Sequence, residues 1–467
     1  MTKNIKNIYL SLAITGCIAV LGSCNKKLDV DPKQSIELGT AFKTEEEIDQ
    51  GIIGCYSLMG AGALYGTDLN IVPELLGAAG TADWFGTFQQ YFDIQEKQMT
   101  TNNDAAVRIW VGGYRVINLA NVIHDVLTGA NGATVVPDAT RRDQLIGETE
   151  FIRGLMHFEL VRLYGNQYDA TTLNTPGAVI KLKGAIDTTT ASEKPVRNTV
   201  AQTYTQVIAD LTSASQKLPK RNSVRANKYT ALAFLSRVYL QKGDYTGALN
   251  AANTVIEQGG YSAPSNDVLT PFRSKNSAEV IFEIQQNDQN NAGTANDGLT
   301  TFYANLANGV GRGDFAVSED FTNQYDADDK RLNAWYYIGL YGGIACAKWY
   351  SYGQNIPVIR MAEMYLTRAE CNIRLGSSVG ELPISDLAVI NNPDRTGLNV
   401  IVAPTLNDVI LQRRLELAFE GLNIHDLRRL RKSTGSFPWN DQLIVMPIPQ
   451  REIDATHGSL EQNQAYK

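Results

Sequence analysis

Apolar residues return every three or four positions along most of this chain, and that period commits it to helices packed on helices rather than to sheets. Residues 45–60 place Ile48, Ile52, Ile53 and Tyr56 on one face, behind Thr44 as a cap and acids in the first turn. Residues 104–127 repeat the pattern with Val107, Trp110, Tyr114, Ile117 and Val122. Residues 141–164 do so with Ile146, Phe151, Leu155, Phe158, Val161 and Tyr164, and Gly165 stops them. Segments 199–218, 226–257, 357–375 and 406–430 continue the series. Within 229–258, two apolar stretches flank Gly243-Asp244-Tyr245, and Tyr239 and Ala248 stand where a tetratricopeptide repeat wants a large and a small packing residue. Ser236 replaces the usual glycine of that repeat. The expected fold is mainly α, a tetratricopeptide-like scaffold of helical pairs.

Between these segments lie irregular stretches at 62–83, 165–196, 258–276, 285–356 and 376–405, rich in Gly, Asn, Asp and Thr. Loops this long inside a compact unit usually carry function. The expectation is a helical frame bearing a large, loop-built surface.

The first residues read as a lipoprotein signal. Lys3 and Lys6 precede an apolar run from Ile8 to Leu21, then Leu21-Gly22-Ser23-Cys24. Small residues before a cysteine suit a lipoprotein signal peptidase, which makes Cys24 the expected lipid-bearing residue; Thr15-Gly16-Cys17 leaves a shorter apolar core and ranks second. No other segment is long and apolar enough to cross a bilayer, so a membrane-anchored chain is expected. The expected organisation is a signal peptide over 1–23, an N-terminal region over 24–220 and a C-terminal region over 221–467, the last two packed as one unit.

The 42 Lys and Arg against 49 Asp and Glu, a formal net charge of −7, argue against a nucleic-acid binder. The three cysteines beyond the leader, Cys55, Cys346 and Cys371, show no metal-ligand spacing. The four histidines form no HExxH motif; His124 and His157 sit among apolar residues, as structural histidines do. Gly309–Gly313 lacks the lysine and strand context of a phosphate loop. No pair of carboxylates stands out for glycoside hydrolysis. No metal, cofactor or catalytic residue is expected.

Two aromatic clusters suit sugar rings, whose apolar C–H faces pack on flat side chains. The first is Trp84-Phe85, with Phe88, Tyr91 and Phe92; the second is Trp335-Tyr336-Tyr337, with Tyr341, Trp349, Tyr350 and Tyr352, joined by Phe302 and Tyr303. Positions 84, 85, 88, 91 and 92 equally fit one face of a helix, which would place them in the core. In a strand, Tyr336 and Tyr337 would point to opposite faces.

Several motifs together resemble the SusD/RagB family. Ile356-Pro357-Val358-Ile359-Arg360-Met361-Ala362-Glu363, continuing to Arg368-Ala369-Glu370, is similar to that family's PVIR…AE…RAE segment, taken as helical. Arg413-Arg414-Leu415-Glu416-Leu417-Ala418-Phe419-Glu420-Gly421, with Asp426-Leu427-Arg428-Arg429, resembles its RR-x-ELAFEG…DL-x-R segment. Pro447-Ile448-Pro449, Glu452-Ile453, Gln462-Asn463 and Tyr466 resemble its closing stretch, and Gly147-Glu148, Phe151-Ile152-Arg153 and Tyr164-Gly165 resemble an earlier helix. Gln412 stands where the family commonly has glutamate and Asn423 where it commonly has arginine. The charged residues of these motifs, from Arg360 to Glu420, are expected to lock helices together rather than to catalyse.

The resemblance implies a SusD-like α/α superhelix and a surface-exposed, lipid-anchored, non-catalytic receptor of the outer membrane. Its implied ligand is an oligosaccharide, and its implied partner a SusC-like TonB-dependent transporter. In that family ligand aromatics come from loops near the two clusters, so the expected ligand-binding residues are Trp84, Phe85, Tyr303, Trp335 and Tyr336. A tetratricopeptide-like scaffold that binds only protein or peptide is the competing expectation.

Overall fold

The computed structural model describes residues 41–186, 194–293 and 296–467, and residues 42–467 form one compact unit. The signal peptide and Cys24 lie outside the described residues. Among the described residues no helix is long and apolar enough to cross a membrane.

The principal helices are α1 (Glu45–Met59), α2 (Asp68–Leu76), α3 (Gln89–Glu96), α4 (Asp104–Thr128), α5 (Ala139–Tyr164), α6 (Val200–Lys217), α7 (Lys228–Lys242), α8 (Tyr245–Gln258), α9 (Met361–Leu375), α10 (Pro383–Ile390), α11 (Leu406–Glu416) and α12 (Asn423–Arg429). In α1 the Thr44–Glu47 capping box closes the first turn, and Ile48, Ile52, Cys55 and Met59 are buried at helical spacing. Helix α5 is buried on every side from Leu145 to Tyr164, between α4 and α6. Its charges are therefore paired: Arg153 binds both carboxylate oxygens of Asp210 at 2.8 and 2.9 Å, and Glu148 accepts from Arg225 at 2.7 Å.

Helices α7 and α8 form the expected repeat pair. Gly243 takes the left-handed conformation that ends α7 (φ 80°), and Ser236 Oγ donates to the Ala248 carbonyl across the pair at 3.0 Å. Gly247 lets the Tyr239 ring approach so closely that a Cβ there would fall 2.8 Å from it. Next along the stack, Arg368 of α9 reaches Asn253 and Glu257 of α8 and Asp386 of α10. The mainly helical, tetratricopeptide-like architecture is thus present.

Three sequence expectations need correction. The 357–375 segment opens as a strand: Ile356–Arg360 (β6) pairs antiparallel with Val280–Ile284 (β2), and the helix starts only at Met361. Residues 406–430 form two helices, because Phe419 (φ 63°) and Gly421 (φ 77°) turn the chain between α11 and α12. The stretches read as irregular at 62–83 and 376–405 hold α2 and α10.

Buried ion pairs join the C-terminal elements. Glu416 receives Arg360, Arg331 and Arg395, at 2.8, 3.1 and 2.6 Å, and those guanidiniums hold its carboxyl well below the usual range against the cost of burial. Glu363 pairs with Arg237 at 2.5 Å, and Glu370 with Arg429 at 2.7 Å. At the two positions that depart from the family pattern, Gln412 accepts from Arg331 at 2.7 Å and Asn423 donates to the Gly77 carbonyl at 2.8 Å.

Candidate functional site

The irregular segments build a layer around a four-stranded antiparallel sheet ordered β1 (Ala82–Trp84), β3 (Phe315–Val317), β5 (Ile344–Cys346) and β4 (Tyr336–Ile338). Side chains alternate across a strand, and this decides which rings reach solvent. In β1, Ala82 and Trp84 point inward and Asp83 outward, so Phe85, one residue on, falls on the outer face, 72% exposed. The helical reading of 84–92 holds only from Gln89.

Four of the five expected rings are core residues. Trp84, 3% exposed, packs on Tyr91 and Phe302 with ring centres 4.7 and 5.3 Å apart. Tyr303 donates its hydroxyl to Asn70 Oδ1 at 3.0 Å and lies 4.5 Å from the Phe315 ring. Trp335 donates Nε1 to the Val268 carbonyl at 3.1 Å. Tyr336 meets the Tyr325 hydroxyl at 3.0 Å, while its neighbour Tyr337 is turned to the other, half-buried face. Rings closed in this way have no free face for a ligand, so the expectation that Trp84, Tyr303, Trp335 and Tyr336 present aromatic surface is not met. A close-packed interior needs large side chains, and the loop layer supplies its own from these tryptophans and tyrosines.

Phe85 has polar company. Its N–H donates to the Asp314 carbonyl at 2.7 Å. Arg312 Nε donates to the Asp314 carboxylate at 2.8 Å, and the guanidinium spans Phe88 and Phe302, 5.2 and 5.5 Å from their ring centres. Gly86 keeps the strip open, since a Cβ there would strike the Trp84 ring edge at 2.5 Å. The segment carrying Arg312 is clamped: Gly311 N–H donates to the Tyr352 hydroxyl at 3.1 Å, and Asn305 N–H to the Tyr337 hydroxyl at 2.8 Å. Next to it the β4–β5 turn exposes Ile338, Leu340 and Tyr341 and is tied back through Leu340 N–H to the Asn305 carbonyl at 3.1 Å. The loop layer thus carries an exposed ring at Phe85 and, joined to it through the Phe85–Asp314 backbone bond, a guanidinium–carboxylate pair: an apolar face and polar groups at the ends of neighbouring strands.

Sequence reasoning missed Arg312 and Asp314. Their signal was the glycine run set aside as an incomplete phosphate loop: Gly309, Gly311 and Gly313 all take positive φ, which lets the loop fold back and deliver Arg312 to the Phe88 ring.

Among the described residues no group of three or more His, Cys, Asp or Glu side chains could hold a metal. His157 is buried and accepts Lys181 N–H at Nε2 at 3.2 Å; burial pushes its pKa down to about 3, so it is a neutral structural acceptor. Cys55, Cys346 and Cys371 are free and buried, and burial lifts each thiol to about 12.

The fold and this surface together define a helical-repeat scaffold carrying a loop-built platform. The chain belongs to the SusD/RagB family: a family model described as starch-binding and associating with the outer membrane matches residues 27–240, and the SusD family model matches residues 335–443. A SusD-like protein of Formosa agariphila, named P2, is 23% identical, with 98% of each chain covered. A SusD superfamily structure from Bacteroides thetaiotaomicron superposes with a TM-score of 0.79 at 25% identity, covering 90% of this chain and 99% of the other. The structure of surface glycan-binding protein A of the same species gives 0.74 at 19% identity, covering 91% and 100%.

Proposed function

We propose that this protein is a non-catalytic, lipid-anchored receptor at the outer membrane that captures an oligosaccharide on its loop layer and passes it unaltered to a SusC-like TonB-dependent transporter. The observation that carries the reading is the exposed Phe85 ring on a strand end whose backbone N–H is bonded to Asp314, the residue that also pairs with Arg312. Support comes from the family's description as starch-binding and from fold relatives named as glycan-binding and laminarin-binding. A small open platform gives modest affinity, which suits a protein that must release its cargo. Lipid on Cys24 would hold it at the membrane.

A second reading, a scaffold for protein or peptide cargo only, draws on the exposed Ile338, Leu340 and Tyr341 of the β4–β5 turn. Calorimetric titration against a panel of neutral oligosaccharides separates the two. Binding by the wild type that weakens in Phe85→Ala supports the receptor; silence across the panel, with co-purification of the transporter retained, supports the scaffold. Product analysis after prolonged incubation tests the absence of turnover, and a Cys24→Ala chain recovered in the soluble fraction tests the anchor.

A further inference from the structure

Away from the loop layer, the C-terminal ends of α7, α9 and α12 converge with the chain leaving α5 around a cavity of about 390 Å³. It shares no lining residue with the Phe85 platform. Cationic side chains at helix C-termini ordinarily compensate the helix dipole and its free carbonyls. Arg428 does this, donating to the carbonyls of Arg162 and Gly165 at 2.9 Å each.

The charges here exceed that need. Lys242, Arg374, Arg428, Arg429 and Arg431 line the cavity, against Asp169 as its one lining carboxylate. Glu370, behind the wall, takes Arg374 and Arg429, and Asp169 takes Arg431 at 2.5 Å. Arg428 meets only carbonyls; it is 2% exposed, and its Nε has no hydrogen-bond acceptor. Burial without a carboxylate pulls its pKa down to about 10. Lys242 rests 5.5 Å over the Tyr168 ring, Arg374 4.7 Å over Tyr245 and Arg431 5.4 Å over Trp439. Rings are thus interleaved with cations around the cavity.

Arg431 also holds a left-handed backbone (φ 55°) where the chain leaves α12, a position that glycine fills more comfortably.

We propose that this cavity is a second binding site, for a sugar bearing an oxyanion, either the carboxylate of a uronic acid or a sulfate ester. The volume lies at the lower end for ligand pockets and suits one or two sugar rings. Trp439 and the tyrosines offer apolar faces, while Lys242, Arg428 and Arg431 meet the anion.

The test uses the full chain, titrated with glucuronic and galacturonic disaccharides, a sugar sulfate, the matching neutral disaccharide and sodium sulfate. At least one sugar anion binds, more weakly as salt rises, and the neutral disaccharide does not compete with it. Whether the uronates or the sulfated sugar bind tells which oxyanion the site takes. Lys242→Ala and Arg431→Gly each weaken that binding about tenfold, as loss of a charge-assisted contact would. Arg431→Gly also relieves the strained backbone, so its melting temperature stays level or rises and unfolding cannot account for the loss. Phe85→Ala leaves anion binding unchanged, which separates this site from the platform. The proposal is overturned if sugar anions bind no better than neutral sugars, if either pocket variant binds as the wild type does, or if sodium sulfate binds as tightly as the sulfated sugar.

Discussion

The ammonium of Lys348 lies 4.1 Å from the centre of the Trp335 ring, and both side chains are fully buried. Lys348 also donates to the carbonyls of Glu416 and Ala418 at 2.9 Å each and to the Glu420 carboxylate at 2.7 Å. Trp335 is therefore part of the packing around a buried cation at the turn between α11 and α12. Trp335→Ala should cost about 3–5 kcal/mol of stability, the range for large core truncations. Chemical denaturation measures it. Fully native stability in this variant would mean that the ring is not a packing element.

Phe85→Ala should behave in the opposite way. An exposed residue whose side chain takes part in no cap or ion pair shifts stability by less than about 0.5 kcal/mol. Glycan affinity should fall about threefold to tenfold, since a single aromatic contact contributes of the order of 1 kcal/mol, and Phe85→Trp should retain binding. Calorimetry beside a melting curve reads both quantities on one sample. A loss of binding that tracked a loss of stability would remove Phe85 from the site.

Glu416→Gln leaves Arg331, Arg360 and Arg395 facing a neutral amide in the interior. Breaking a buried pair from one side typically costs about 3–5 kcal/mol, so this variant should unfold at much lower denaturant. Substitutions at exposed ion pairs such as Lys467–Glu461 should have little effect, and that pair serves as the control.

Stability should peak at mildly acidic pH. Burial raises Asp68, Glu74 and Glu279, each to about 7, so the folded chain binds more protons there than the unfolded chain does. Their contribution is complete below the ordinary carboxylate range and is lost as pH rises through about 7. Arginine pairing holds Glu416, Glu420, Glu363 and Glu370 below their ordinary values despite burial, so their contribution is present above about pH 4.5 and is lost on further acidification. Denaturant midpoints from about pH 3 to 8 should pass through a maximum near 4 to 5. A midpoint rising steadily to pH 8 would mean that the three raised carboxyls are ionised in the folded protein.

The amino-acid sequence determined the helical frame by itself. The spacing of Ile48 and Ile52, the Thr44 cap and the Gly243 turn are local signals, and a helix needs little else to be legible, although Ile53, read onto the same face, is exposed while Cys55 and Met59 are buried. The arginines and carboxylates of the C-terminal motifs were readable as framework too, because their types and order mark pairing even before the partners are known. Only the tertiary structure decided which rings face solvent. Trp84 and Phe85 are neighbours in sequence, yet pairing of β1 with β3, more than two hundred residues away, turns one into the core and leaves the other exposed. The same long-range closure brings Arg312 to Phe88, and Arg428 and Trp439 to the end of α7. Local period fixes the conformation of a segment, whereas burial depends on what packs against it, and no nearest-neighbour pattern in the chain records that.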